Sequence, residues 1–279
     1  MLIQIKEWMV RRLAENYIAG PHLTDALRLC RRVAARGWGS ILCPWDGPGD
    51  TPEEVLSNYQ TALQTIASEK LDAHLSIKAP SLRYDFEALK ELLAVAGERG
   101  VRIHFDSHDF DTAPPTFRLL EKAVPYYPHI GCTLPSRWRR SFFDAECAID
   151  LGAPVRVVKG EWPDPTGEAI DPKGRFLELI DRLAGRAREV AVATHDPVLA
   201  RAALARLQKS GTPCRLEQLW GLPIRAKEVA EPLGVPVRVY IPYGHAWLPY
   251  CIGSIRRRPV ILAWVARDFF MTRRGLGIP

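Results

Sequence analysis

The chain has 279 residues, with 38 lysines and arginines against 32 aspartates and glutamates, a formal net charge of +6. That length suits one large domain or two small ones, and the ordinary share of apolar residues excludes a disordered chain. Charges of both signs are mixed along the whole sequence, so no nucleic-acid partner is expected, and without an apolar run of about 18 residues no stable membrane insertion is expected either.

The opening stretch IKEWMVRRLAENYI reads as an amphipathic helix and lacks the apolar centre of a signal peptide. Six cysteines, Cys30, Cys43, Cys132, Cys147, Cys214 and Cys251, are scattered with no CxxC pair. They read as small buried side chains with reduced thiols, which suits a cytoplasmic setting.

From Gly39 onward, short apolar runs alternate with longer segments of helical period. The predicted strands are GSILC from Gly39, AHLSIK from Ala73, VRIHF from Val101, HIGCTL from His129, VRVVK from Val155, VAVAT from Val190, CRLEQL from Cys214 and VRVYI from Val237. Helices are predicted between them. DFEALKELLAVAGERG ends on a glycine suited to a C-cap, and DPVLARAALARLQKSG opens on the N-cap Asp196. Eight such units predict an α/β fold, a (β/α)8 barrel of TIM type with an N-terminal helical extension. The expected division is N-terminal helices over 1–38, barrel over 39–270 and a tail over 271–279, all in one domain. An open doubly wound sheet is the alternative, but no GxGxxG follows the first strand.

In a barrel, chemistry sits at the C-terminal ends of the strands. Polar residues gather there: Lys78; His104 and Asp106; Arg137; Arg156, Lys159 and Glu161; Thr194, His195 and Asp196; Glu217 and Gln218; Tyr240 and Tyr243. Buried unpaired, several would be costly, so a polar ligand or a mutual ion-pair network is implied. His104 and His108 have the spacing of two helical metal ligands but fall at a strand end and in its loop, so no metal is assigned.

Four stretches together resemble proline dehydrogenase, a flavin-dependent (β/α)8 barrel. They are LSIK (Leu75 to Lys78), VRVVKGEW (Val155 to Trp162), VATHD (Val192 to Asp196) and VRVYIPYG with WLPY (Val237 to Tyr250), in family order and at family spacing. Weaker similarity runs from the AENYIAG segment at Ala14 to about Phe270. The resemblance implies noncovalent FAD and hydride removal from a carbon next to nitrogen. It implies that Arg156 lies against the flavin N5 edge, with Lys159 and Gly160 along the cofactor and Thr194 and His195 near its ribityl and phosphate portion. Lys78 and Tyr240 would sit over the substrate, with Tyr250 closing the pocket. A cation near the flavin stabilises the negative charge that builds on reduction. The alternative for Arg156 and Lys159, expected to point the same way from one strand, is that both pair with acids inside the mouth.

The departures from the family are also informative. Aligning WLPYCIGSIRRRP with the family's WYPYxxRRLxERP puts Gly253 and Ser254 where two arginines hold the proline carboxylate, and Arg257 where a glutamate stands. A family aspartate aligns with His104, a glutamine with Pro135, a tyrosine with Arg137, an alanine with Glu161 and a second glutamine with Glu217, so His104 is expected to be catalytic and Glu217 to bind substrate. Charged groups are largely exchanged for other charged groups, which favours an altered substrate over lost function. Without its bidentate clamp, free L-proline is not the expected substrate. Arg257, one turn beyond Gly253, or Arg137 would replace the clamp, and Glu161 suits a cationic head group.

Three readings stand at this point. The first is an FAD-dependent dehydrogenase or oxidase acting on a small amine, imino-acid or hydrazine-like substrate, suited to specialised metabolism. The second is proline dehydrogenase with a relocated clamp, and the third a flavin-free barrel binding an acidic ligand. The residues carry no signal for the electron acceptor.

Overall fold

A computed structural model describes residues 19–244 except 48, 168–170, 223 and 225. The predicted opening helix and the positions Tyr250, Gly253, Ser254 and Arg257 lie outside the described residues. Helix α1 (Leu23–Ala34) leads into β1 (Gly39–Trp45). There follow α2 (Pro52–Ser68), β2 (Ala73–Ile77), α3 (Phe86–Arg99), β3 (Ile103–Phe105), α4 (Ala113–Ala123), β4 (Ile130–Pro135), α5 (Ser141–Asp150) and β5 (Val155–Val158). The series ends with α6 (Pro172–Leu183), β6 (Val190–Ala193), α7 (Pro197–Lys209), β7 (Cys214–Leu219), the single turn α8 (Ala226–Val229) and β8 (Val237–Gly244).

The strands pair in parallel in chain order, and β8 closes on β1 with Arg238 opposite Gly39 and Gly244 opposite Trp45. This closed eight-stranded barrel is the predicted (β/α)8 fold, and α1 precedes it. All eight strands fall where the apolar runs predict them. Lys78, Lys159 and Thr194, predicted to close strands, lie one residue past β2, β5 and β6.

Local chemistry starts and stops the helices. Thr51 and Glu54 form a reciprocal capping box ahead of α2. Asp85, Asp171 and Asp196 each accept two backbone N–H groups at the starts of α3, α6 and α7, and proline stands in the first turn of α2, α6 and α7. No helix among the described residues is long and apolar enough to cross a membrane.

Strand side chains alternate between two faces. One set, including Leu42, Leu75, Phe105, Leu134, Val157, Val192, Leu216 and Ile241, is fully buried with the apolar faces of the helices in one continuous core. The alternate set points inward, and it is unusually polar for a barrel that branched aliphatics normally fill. Ser76, His104, Thr133, Arg156, Arg215 and Glu217 are all buried there.

Candidate active site

Arg156, on β5, is 4 % exposed and organises the inner end of the mouth. Its Nε donates to Glu217 Oε2 at 2.5 Å, and one terminal nitrogen, Nη1, donates to Asp106 Oδ1 at 2.7 Å. That nitrogen also reaches Ser76 Oγ at 3.3 Å and Thr133 Oγ1 at 3.4 Å. Burial opposes its charge, but Glu217 and then Asp106 outweigh burial and raise its pKa above the ordinary arginine range. The guanidinium therefore stays a fixed cation, with the Tyr240 ring 5.4 Å from its carbon.

Asp106 is saturated with donors. Besides Arg156, it accepts from Ser76 Oγ at 2.5 Å, Tyr240 OH at 2.5 Å and the Cys43 thiol at 3.2 Å. Burial and then the Asp106 charge push the Tyr240 phenol well above its usual range, so it remains a donor. Deeper in the barrel, Glu217 Oε1 accepts from Arg215 Nε at 2.7 Å, and Arg215 in turn donates to Glu189. Burial pushes Glu217 upward, but Arg156 and Arg215 reverse the sign and hold its pKa at about 2.

Two expectations change here. Glu217, expected to bind substrate, is 2 % exposed with both oxygens engaged by arginines, so it offers a substrate no free face. His104, expected to be catalytic, is 3 % exposed on the inner wall two residues below Asp106, and its Nε2 has no hydrogen-bond partner among the described residues. Burial, then Arg156 and Arg215, depress its pKa well below the histidine range, so it is a neutral imidazole. Gly131 lets it fit, because a Cβ there would stand 2.6 Å from His104 Nδ1 and 2.6 Å from the Pro154 carbonyl oxygen.

The upper rim is built from loops. Lys78 Nζ lies 3.5 Å from Asp46 Oδ1 and 5.2 Å from the Trp45 ring centroid, and its backbone N–H donates to Tyr59 OH. The loop after β5 is pinned to the loop after β4. Trp138 Nε1 donates to the Trp162 carbonyl at 3.0 Å, and the Arg139 N–H donates to Asp164 at 2.8 Å. That pinning brings Gly160 beside Arg137, and the half-buried Glu161 follows it in the same loop. Gly160 has φ +85°, and a Cβ there would meet Pro135 Cβ at 2.7 Å, so only glycine permits this approach. Arg137 Nε is buried with no hydrogen-bond partner among the described residues, a donor placed at the mouth.

Lys159 lies one residue past the end of β5, and its charge helps lower the pKa of Asp196, after Lys173. The Arg137 N–H donates to the Lys159 carbonyl. On the far side, His195 Nε2 accepts the Leu219 N–H at 2.9 Å, and the Thr194 carbonyl accepts from Gln218 Nε2 at 3.1 Å. His108 stacks on Trp162 away from His104, and no three His, Cys, Asp or Glu side chains among the described residues converge as metal ligands.

The sequence reading leaves Asp106 as one polar strand end among many, and it misses Cys43, Ser76, Thr133 and Arg215. A signal was available: arginine recurs as the second residue of VRI at Val101, VRV at Val155, CRL at Cys214 and VRV at Val237. Apolar flanks on both sides place each of these arginines on the face opposite the helix-packed core.

No protein-family model matches the chain. Curated relatives cover nearly all of it. Proline dehydrogenase 1 of Bacillus subtilis subsp. natto is 26 % identical over 94 % of this chain and 92 % of its own length. Proline dehydrogenase of Deinococcus radiodurans is 23 % identical over 95 % and 92 %. Among solved structures, proline utilization A from Bdellovibrio bacteriovorus, inactivated by N-propargylglycine, superposes with a TM-score of 0.76 at 18 % identity. This chain spans 32 % of that chain's length, and the match takes in 87 % of this one. The corresponding protein from Corynebacterium freiburgense gives a TM-score of 0.73 at 19 % identity, over 91 % of this chain and 31 % of that one.

Proposed function

Since the chain is a divergent member of the proline dehydrogenase family, an oxidoreductase acting on a CH–NH group, we propose that it is FAD-dependent and oxidises a small amine, imino-acid or hydrazine-like substrate other than free L-proline. One observation carries this reading: a buried, permanently charged guanidinium, Arg156, stands under the C-terminal mouth of a closed barrel, below an Arg137 donor with no hydrogen-bond partner among the described residues. Arg156, Lys159, Gly160, Thr194 and His195 are the residues that would hold FAD. The donor set fits it, because buried Arg156 and the Arg137 Nε supply positive potential for the negative charge that builds on a flavin ring as it is reduced. Bound FAD supplies the two-electron acceptor for a hydride.

The chain's own residues orient the reaction. Asp106 and Glu217 clamp Arg156 so that its charge does not swing away. The protonated Tyr240 and the rim Lys78 present a ring face and a cation to the space above. Glu161 is suited to a cationic nitrogen, and Arg137 to an anionic end. Exclusion of free L-proline rests on Gly253 and Ser254, which stand in place of the family's two arginines, as read from the sequence alone.

L-Proline itself is the second reading, favoured by relatives of that name along 94 % of the chain. Five described cysteines are free, which accords with a reducing cytoplasmic setting. The deciding experiment is anaerobic. Purified protein should carry a flavin spectrum, and candidate amines and imino acids are then titrated against it. Bleaching by other substrates but not by sub-millimolar L-proline supports the proposal. Bleaching by sub-millimolar L-proline makes the second reading correct. A protein that takes up no FAD overturns both and leaves the acidic-ligand barrel.

A further inference from the structure

At the end of the barrel opposite the mouth, the strand N-termini surround an open cavity of about 540 Å3. Volumes of this order suit a small-molecule ligand. The floor is buried: the cation Arg215 on β7 is 4 % exposed, and His74 on β2, kept neutral by burial and then by Arg238 and Arg215, is 6 % exposed. Arg102 and Arg238 form the walls, with Lys70 and Arg99 at the exposed rim.

A chain of ion pairs filling the barrel axis would explain cations here without any ligand, so the charges must be followed to the end. From the mouth downward, Asp106, Arg156, Glu217, Arg215, Glu189 and Arg102 pair in sequence, alternating in sign. That ladder is neutral. Arg238 Nη2 pairs with Asp72 Oδ1 at 2.6 Å, which is neutral as well. Lys70 and Arg99 remain, and neither has an ion-pair partner among the described residues. Glu189 is also divided between two arginines, Arg102 and Arg215, so both keep donor capacity toward the cavity. Guanidiniums from separate strands around a concave floor match an anion with several oxygens on one centre better than a single carboxylate.

We propose that this cavity is a binding site for a phosphate-class anion, at the opposite end of the barrel from the reaction. The proposal does not depend on the flavin reading. Inorganic pyrophosphate is the probe, titrated calorimetrically into the purified protein in low-chloride buffer, with succinate as the dicarboxylate comparison. Saturable binding at millimolar concentrations or below is expected, stronger than for succinate and weakened by added salt. Lys70→Ala/Arg99→Ala should weaken it at least about tenfold, and Arg102→Gln should weaken it independently. Arg137→Ala, at the mouth, should leave it unchanged. The rim residues are exposed, so the double variant should melt like the parent in anion-free buffer; if it does not, Arg102→Gln alone decides. No saturable heat, an unchanged affinity in the cavity variants, or loss in Arg137→Ala instead each overturns the proposal. The readout is heat, so it stands or falls apart from any oxidase activity.

Discussion

Replacing Glu217 by glutamine tests the inner ion-pair network with a magnitude the structure supplies. The carboxylate is 2 % exposed and accepts from Arg156 at 2.5 Å and Arg215 at 2.7 Å, so solvent does little to screen it. Burial alone would raise its pKa from 4.5, yet the two arginines hold it at about 2. That difference is worth about 3 kcal/mol of folding stability at neutral pH. The folded pKa lies below the unfolded one, so the contribution is complete well above the unfolded value and fades as pH falls toward the folded one. Glu217→Gln keeps the shape and removes the charge, leaving two buried arginines one carboxylate short, a change that costs roughly 3–5 kcal/mol in comparable sites. Urea unfolding of both proteins should give a gap of about 3 kcal/mol at pH 7, narrowing to about 2 kcal/mol at pH 3.5. A gap below about 1 kcal/mol at pH 7, or one that does not move with pH, would refute the assignment of Glu217 as the shared counter-ion.

The other predictions address the mouth, the barrel wall and a helix start. Asp106→Asn keeps the acceptor geometry but weakens the charge-assisted bonds from Arg156 and Tyr240; kcat/KM on whichever substrate is found should fall roughly 10- to 100-fold with the circular dichroism spectrum unchanged. Unaltered kinetics would remove Asp106 from the site. Gly131→Ala drives a methyl group into His104 and the Pro154 carbonyl and should lower stability by about 1–3 kcal/mol in denaturant; an unchanged midpoint would show that the wall yields. Asp196→Ala removes the cap of α7 and the 2.7 Å pair with Lys173, with an expected loss of about 1 kcal/mol. Asp85→Ala at α3 is the matched comparison, with a cap but no such pair.

The fold was legible because a parallel barrel strand is buried on both faces and therefore reads as a compact block bounded by caps and turns. Thr51, Asp85 and Asp196 mark helix starts through local chemistry that needs no tertiary information. Glu217 was misassigned for the same reason that Asp106 was passed over. A charged strand end in a barrel has two destinations, toward a ligand or toward an opposite charge on another strand. Tyr240 and Asp106 stand 134 residues apart in the chain, and only closure of β8 on β1 brings them within 2.5 Å. The alternation in VRVV and CRLEQL carried the missing information. On an exposed sheet such alternation marks a wet face, and here it marks the inside of the barrel.

That inversion explains why the Glu217 exchange is not a local event. Glu217 is a carboxylate that alone would partly neutralise Arg156 and be costly to bury. Arg215, on the same strand and face, removes the cost by donating to the second oxygen, and it then needs Glu189, which needs Arg102. Each charge is tolerable only because the next one is present, so the ladder acts as one unit spread over six positions. Its upper end fixes Arg156 and its lower end closes in balance at Arg102, beside the cavity. Lys70 and Arg99 stand outside that balance with no ion-pair partner among the described residues, and these two extra cations are the physical reason to look there for a second ligand.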